Sequence, residues 1–293
     1  MENNILFEWF FMRKAIPFET FLIRIEMLDL KQLTADVRRI AVEAGHFLKE
    51  ERREFHRECV VEKHAHDYVS YVDKESEVRV VKALSTLLPE AGFITEEGSA
   101  IYRDEPYYWV IDPLDGTTNY IHDEAPYCVC IALRSRTELL LGVVYEVCRD
   151  ECFYAWKGGG AFMNGEEIHV SGVRDVKDAF VITELPYNHL QYKRTALHLI
   201  ERLYGVVGGI RMNGSAAAAI CYVAIGRFDA WAEAFLGKWD YSAAALIVQE
   251  AGGQVTNFYG EDYFIEGHHI IATNGFLHPL LQEILAEVPP LGM

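Results

Sequence analysis

The sequence predicts an α+β protein built in layers: an N-terminal, largely antiparallel sheet with two helices, followed by a C-terminal α/β part. Three patterns predict it. Apolar residues recur at helical spacing twice near the start, short β segments separated by turn residues fill the middle, and beyond about Leu185 helices and strands alternate. No internal repeat, low-complexity tract or flexible linker is visible, so the part from residue 27 to 184 and the part from 185 to 293 are expected to share one continuous body, with the site between them.

Asp29 can cap a first helix whose apolar face is Leu30, Leu33, Val37, Ile40, Ala41, Ala44, Phe47 and Leu48. Asp73 is expected to cap a second, with Val78, Val81, Leu84 and Leu88 on one face. Strands follow over Phe93 to Thr95, Tyr107 to Ile111, Cys128 to Leu133, Leu139 to Glu146, Glu151 to Trp156 and Ala161 to Met163. Turn signals such as Lys157-Gly158-Gly159-Gly160 and Asn164-Gly165 separate them. The second half reads as a helix over His189 to Tyr204, a small-residue helix over Gly214 to Ala224 and a strand over Arg227 to Ala234. A helix over Ser242 to Ala251, a strand over Ile270 to Ala272 and a last helix complete it. Residues 1 to 26 precede the first capped helix and read as an extension outside the fold, so a chain starting at Met27 is expected to fold unless Phe7, Trp9, Phe10 and Phe11 pack on the body.

Of the 293 residues, 51% are hydrophobic and 24% charged, which is globular composition, and the net charge of −17 disfavours a nucleic-acid backbone or an anionic membrane as partner. An anionic substrate would need a local reversal of that field, which a bound cation supplies. No stretch has the length of a membrane span or the form of a signal peptide, so a soluble, cytoplasmic protein is expected. The six cysteines form no CxxC pair and read as reduced packing residues; Cys128 and Cys130 share one strand face. His64, His66, His268 and His269 lack partner ligands at zinc spacing and read as solvated loop residues.

The chemistry concentrates in acids at element ends. The apolar run Tyr107 to Ile111 meets Asp112-Pro113, where proline cannot join a ladder, and Asp115-Gly116 then signals a turn. Thr117, Thr118 and Asn119 offer groups suited to capping a following helix. A neighbouring strand ends at Glu96-Glu97, which would bring Glu96 close to Asp112 and Asp115, and Asp240 stands at the start of another helix. Four acids with no comparable cluster of Lys or Arg are costly unless cations sit among them. Carboxylates with a free carbonyl at Leu114 are hard oxygen ligands that select Mg²⁺ or Mn²⁺ over zinc.

The set Glu96-Glu97, Asp112-Pro-Leu-Asp115-Gly-Thr-Thr-Asn119 and Trp239-Asp240 followed by Glu250-Ala-Gly-Gly253 resembles the inositol monophosphatase family of Mg²⁺-dependent, Li⁺-inhibited phosphatases, from about Leu28 to the C-terminus. The resemblance implies an αβαβα sandwich, usually homodimeric. It also implies one Mg²⁺ on Glu96, Asp112 and the Leu114 carbonyl, a second on Asp112, Asp115 and Asp240, and a third leaning on Glu96 through water. Thr117, near Glu96 in the family, would orient or deprotonate the attacking water, and backbone N–H groups of Gly116 and Thr117 would take the phosphate. Glu233, seven residues before Asp240, stands where the family has a Glu that hydrogen-bonds the inositol ring, and Ala216 with the far sides of Asp115 and Asp240 would complete the ring contacts.

A haloacid-dehalogenase-type phosphatase needs its acids two apart, whereas Asp112 and Asp115 are three apart. A calcium loop starting at Asp112 fails at Leu114, Gly116 and Thr117. A catalytically silent protein-binding member is the non-enzyme alternative. The expected substrate is a small phosphate monoester, foremost a myo-inositol monophosphate; histidinol phosphate, fructose bisphosphate, NADP and bisphosphorylated nucleosides are the family alternatives. Thr118-Asn119, in place of Lys-Glu, points away from the last.

Overall fold

A computed structural model describes residues 28–64, 67–100, 104–186, 190–262 and 265–288. The expectations for residues 1 to 26, with their aromatic side chains, and for the histidine at 66 lie outside them.

Asp29 accepts a hydrogen bond from Gln32 N at 2.9 Å and opens α1 (Leu30–Arg53), which buries Leu33, Val37, Ala41, Ala44, Phe47 and Leu48 as the spacing predicts. The hairpin β1 (Val61–His64) and β2 (Asp67–Val69) has no alternating pattern long enough to be read from sequence. In α2 (Tyr71–Leu87) the cap is Ser70, not Asp73. Asp73 is the third residue of a capping box and its carboxylate takes the Ser70 N–H and hydroxyl. The helix is therefore rotated relative to expectation: Val72, Ser76, Glu77, Val80 and Leu84 are buried while Val78 is exposed.

Seven strands follow in one sheet: β3 (Ala91–Thr95), β4 (Tyr107–Asp115), β5 (Cys128–Ser135), β6 (Leu139–Glu146), β7 (Glu151–Trp156), β8 (Ala161–Met163) and β9 (Glu166–Glu167), ordered as in the chain. Only β3 and β4 are parallel. The five-stranded sheet has the order β11 (Gly209–Arg211), β10 (Phe180–Thr183), β12 (Ala230–Ala234), β14 (His269–Thr273), β13 (Gln254–Thr256). His269 thus sits half-buried in β14, with Ala234 opposite, rather than in a solvated loop. The remaining helices are α3 (Thr117–His122), α4 (Lys193–Leu203), α5 (Ala216–Ala224), α6 (Lys238–Glu250) and α7 (His278–Ala286). The helix expected from His189 begins as a 3₁₀ turn at Leu190–Tyr192, and the strand expected from Arg227 begins only at Ala230.

Strand alternation sorts the core into layers. Trp109 and Ile111 of β4, Val129 and Ile131 of β5 and Val143 of β6 pack with α1 and α2. Val110, Cys128, Cys130 and Val144 face the opposite way, onto α5 and α6, whose other side meets Trp231, Ile270 and Ala272 of the five-stranded sheet. Val181, Ala230, Ala232 and Ile271 then face α4 and α7. Helices, sheet, helices, sheet, helices: the order is the αβαβα sandwich. A β carbon on Gly142 would lie 2.4 Å from Ala243 O, so α6 approaches β6 this closely only because residue 142 lacks a side chain. Cys128 and Cys130 are buried free thiols, as expected of packing residues, and burial holds both in the protonated form.

Candidate metal and phosphate site

The strand that was expected to stop at Asp112 continues. β4 runs to Asp115, and a register shift makes three steps on β4, from Asp112 to Asp115, match two on β5, from Cys130 to Cys128. This bulge, which holds the proline, turns both carboxylates to the same side of the sheet's end. Asp112 Oδ1 accepts from Leu114 N at 2.9 Å and fixes the bulge locally. The Leu114 carbonyl is not free, since Thr117 Oγ1 donates to it at 3.0 Å. Gly116, at φ 87°, is the N-cap of α3, and no side chain caps that helix. A β carbon there would meet Pro126 O at 2.9 Å. The expected capping by Thr117 to Asn119 is replaced by longer reaches: Asn119 Nδ2 donates to Pro126 O and to Asn213 O.

Parallel pairing of β3 with β4 carries Glu96 to the same end, where its N–H donates to Ile111 O at 3.2 Å. The Glu96 and Asp112 carboxyls hydrogen-bond to each other. Asp115, beneath them, accepts from Ser215 Oγ and from Ala217 N at 3.1 Å, at the N-terminus of α5, where Ala216 is the first helical residue. Asp240, third residue of α6, turns one oxygen back to Gly237 N at 2.7 Å. Glu233 near the end of β12 leaves Oε2 buried without a hydrogen-bond partner among the described residues.

These acids feel one another. Burial first, then the charges of Glu96, Asp115 and Asp240, raise the Asp112 carboxyl well above the usual carboxylate range. Burial raises Glu96 to about 8, with Lys63 opposing and Glu97 adding to the rise. Burial raises Asp115 to about 6 against the donors of Ser215 and α5. Glu233 is pushed up by burial and by Glu184, Asp240 and Asp115. The residues expected to act together are therefore gathered. The Thr117 hydroxyl bonds to Asp73 Oδ1 at 3.2 Å besides Leu114 O, so Asp73 is the carboxylate it touches.

Sequence reasoning missed four participants. Asp73 passed as a helix cap. Lys63, on β1, pairs with Glu97 and lies 3.6 Å from Glu96, so one cation does stand at the edge of the acids. Ser215 caps α5 and binds Asp115 with the same hydroxyl. Glu184, just past β10, accepts from Asn213 N at 2.7 Å and Gly214 N at 3.1 Å, fixing the turn that presents Ser215; burial raises its carboxyl to about 7. An acid directly after the apolar run Phe180–Thr183 was the signal for Glu184.

Do these residues fit a metal? As they lie, no group of three or more His, Cys, Asp or Glu side chains among the described residues stands in a coordinating arrangement. Each carboxylate has an oxygen turned to a neighbour: Glu96 and Asp112 to each other, Asp115 to Ser215 and Asp240 to Gly237. The donor set is nevertheless all oxygen, and burial with mutual repulsion makes the charged carboxylates costly where no cation offsets them. Ionised, Glu96 and Asp112 would turn oxygens of both to a hard divalent cation, so the residues fit Mg²⁺ by chemistry and position.

The sequence matches the model of the inositol monophosphatase family over residues 29–289. It is 40% identical over 237 residues to the Nus factor SuhB of Pseudomonas aeruginosa, covering 79% of this chain and 88% of that one. To the inositol-1-monophosphatase of Rhizobium meliloti it is 35% identical over 229 residues, covering 76% and 85%. The solved structure of inositol monophosphatase from Anabaena superposes with a TM-score of 0.79 at 31% identity, covering 90% of this chain and 99% of that one.

Proposed function

Because the chain belongs to the inositol monophosphatase family, we propose that it is a Mg²⁺-dependent phosphomonoesterase that hydrolyses a small polyol phosphate, foremost a myo-inositol monophosphate, to alcohol and phosphate. The observation that carries the proposal is the gathering of Glu96, Asp112, Asp115 and Asp240 at one end of the sandwich, the middle two buried and the outer two partly so, beside a threonine hydroxyl bonded to a carboxylate.

In this reading Glu96, Asp112 and the Leu114 carbonyl hold one Mg²⁺, Asp112, Asp115 and Asp240 a second, and Glu96 supports a third through water. Mn²⁺ would substitute. Bound there, the metal lowers the pKa of a water and offsets charge on the phosphate oxygens. The chain does the rest. Backbone N–H groups of Gly116 and Thr117 orient the phosphate, whose close approach the missing side chain of residue 116 permits. Thr117 Oγ1 holds the attacking water, and Asp73, 3.2 Å from that hydroxyl, is placed to draw off a proton. The water oxygen bonds to phosphorus, the phosphorus bond to the alcohol oxygen breaks, and that oxygen takes up a proton. Glu233, with Ala216 and the outer sides of Asp115 and Asp240, receives the alcohol. An unpaired carboxylate oxygen accepts from a hydroxyl, and the small Ala216 leaves room for a ring.

Nus factor is the name carried by the relative from Pseudomonas aeruginosa, and that name favours a second reading in which the fold serves as a binding module. The acid set is retained in this chain, which supports the enzyme reading. Among the described residues no helix is long and apolar enough to cross a membrane, and we read the chain as a soluble cytoplasmic homodimer. Phosphate release across inositol phosphates, histidinol phosphate, fructose 1,6-bisphosphate and nucleotides is the test. Inositol monophosphate is expected to lead; a kcat/KM tenfold higher for another member, about 1.4 kcal/mol of transition-state preference, overturns the substrate. No release from any of them, with Mg²⁺ present, favours the binding module.

A further inference from the structure

Glu77 is completely buried on α2, one turn beyond Asp73, and both of its oxygens are committed. Oε2 accepts from Glu97 N at 2.7 Å and Oε1 from Ser99 N at 2.7 Å. Between these two amides lies Gly98 at φ 70°, so the chain leaving β3 curls into a concave turn whose N–H groups converge on an anion, and the anion is a side chain of the same protein. The ladder with β4 reaches only as far as the bond from Glu96 N to Ile111 O. Past that point the backbone of the chain after Glu96 is held by its two bonds to Glu77, with Lys63 pairing the Glu97 side chain.

Residues four apart on a helix share a face. Asp73 therefore holds the Thr117 hydroxyl while Glu77 holds the Glu97–Ser99 turn, and one rigid helix sets the distance between the two arms of the site, β3's end and the start of α3. From this geometry we infer that Glu77 is a positioning residue for the metal: it touches neither metal nor substrate, but aims Glu96 by fixing the turn that follows it. The inference rests on the proposed Mg²⁺-dependent reading. It goes further by assigning the preorganisation of Glu96 to a carboxylate outside the ligand set.

Two variants separate positioning from mere folding. Glu77→Gln replaces one acceptor by an amide NH₂ that confronts a backbone N–H; Glu77→Asp keeps both acceptors but withdraws them by one methylene. Glu75→Gln is the control, being exposed on the same helix and paired with Arg79. Mn²⁺ binding is read directly from the electron-paramagnetic signal of free Mn²⁺, without turnover. Hydrogen exchange is read at the Glu97 and Ser99 amides, and circular dichroism establishes that each variant is folded. Glu77→Gln is expected to weaken Mn²⁺ binding at least tenfold and to expose both amides, while Glu75→Gln matches wild type. In turnover the half-saturating Mg²⁺ concentration should rise by the same factor, with kcat at saturating Mg²⁺ within about twofold.

A folded Glu77→Gln protein with wild-type Mn²⁺ affinity overturns the inference and leaves the phosphatase reading intact. If Glu77→Gln does not fold, Glu77→Asp decides: exposed amides with unchanged Mn²⁺ affinity overturn it equally. A wild-type protein that binds no Mn²⁺ overturns both inference and reading.

Discussion

His278 gives the protein a pH limit that can be calculated from its contacts. The imidazole is buried at the start of α7, with Nε2 2.8 Å from Thr256 Oγ1 and Nδ1 3.0 Å from Thr273 Oγ1. Thr256 gives its own hydroxyl proton to Asn257 O, so it accepts from His278 Nε2–H. With the neutral ring's one proton on Nε2, Nδ1 accepts from the Thr273 hydroxyl, whose oxygen also takes the Gly275 N–H. Both ring nitrogens are thus satisfied in the neutral form, and a second ring proton would have to turn the Thr273 hydroxyl away. Burial lowers the pKa from 6.5 to about 4. Because the folded value lies below the unfolded one, the unfolded chain binds the proton first. The contribution is fully present above pH 6.5 and is lost as the pH falls towards 4. At pH 5 the loss is about 2 kcal/mol, and at pH 4 about 3 kcal/mol, from 1.36 kcal/mol per unit. Thermal unfolding of wild type and His278→Gln, each at pH 7.5 and pH 5, is the assay, since other titrating groups cancel in the difference. Wild type should lose about 4 °C more than the variant between the two pH values. Equal losses would refute the neutral, doubly bonded histidine.

Three further outcomes follow from single contacts. Gly142→Ala should destabilise by roughly 1–3 kcal/mol in denaturant titration, because the new methyl collides with the Ala243 backbone and α6 must shift; a neutral effect would mean that α6 does not lie against β6 as described. Thr117→Val, which keeps shape and loses the hydroxyl, should lower kcat about a hundredfold or more with KM little changed, while Thr117→Ser recovers most of it; a change in KM alone would remove Thr117 from the chemistry. Glu233→Gln should raise KM for inositol monophosphate and leave glycerol 2-phosphate hydrolysis nearly unchanged; equal effects on both would place Glu233 outside alcohol recognition.

How far the sequence could be read depended on the range of the interaction. Capping by Asp29, the apolar face of α1 and the apolar runs of β4 to β7 between turn residues are local, and each was legible. The acids at element ends were legible too, because four of them without a matching cluster of Lys or Arg are costly unless a cation joins them. Contacts made across the fold were not. The β4 bulge needs β5 beside it to be counted, so proline at 113 looked like an ending when it marks an irregular continuation. Asp73 satisfies a cap with one oxygen and Thr117 with the other, 44 positions away, and only the local half is visible in sequence. Short strands such as β11 and β13 carry too few residues to show a period. Thr117 was singled out through the resemblance, while its bond to Asp73 spans the fold and shows in no local pattern.

The central claim is that these acids hold a metal used for phosphate release, and the direct measurement is phosphate production from a myo-inositol monophosphate as Mg²⁺ is titrated, for wild type and for Asp112→Asn. Asparagine keeps the shape of the side chain and removes the charge at a position that burial, then repulsion from Glu96, Asp115 and Asp240, makes costly without a cation. The account predicts saturable Mg²⁺ dependence in wild type, abolished by chelation, and loss of nearly all turnover in a variant that remains folded. Near-normal turnover by Asp112→Asn with unchanged Mg²⁺ dependence would contradict it.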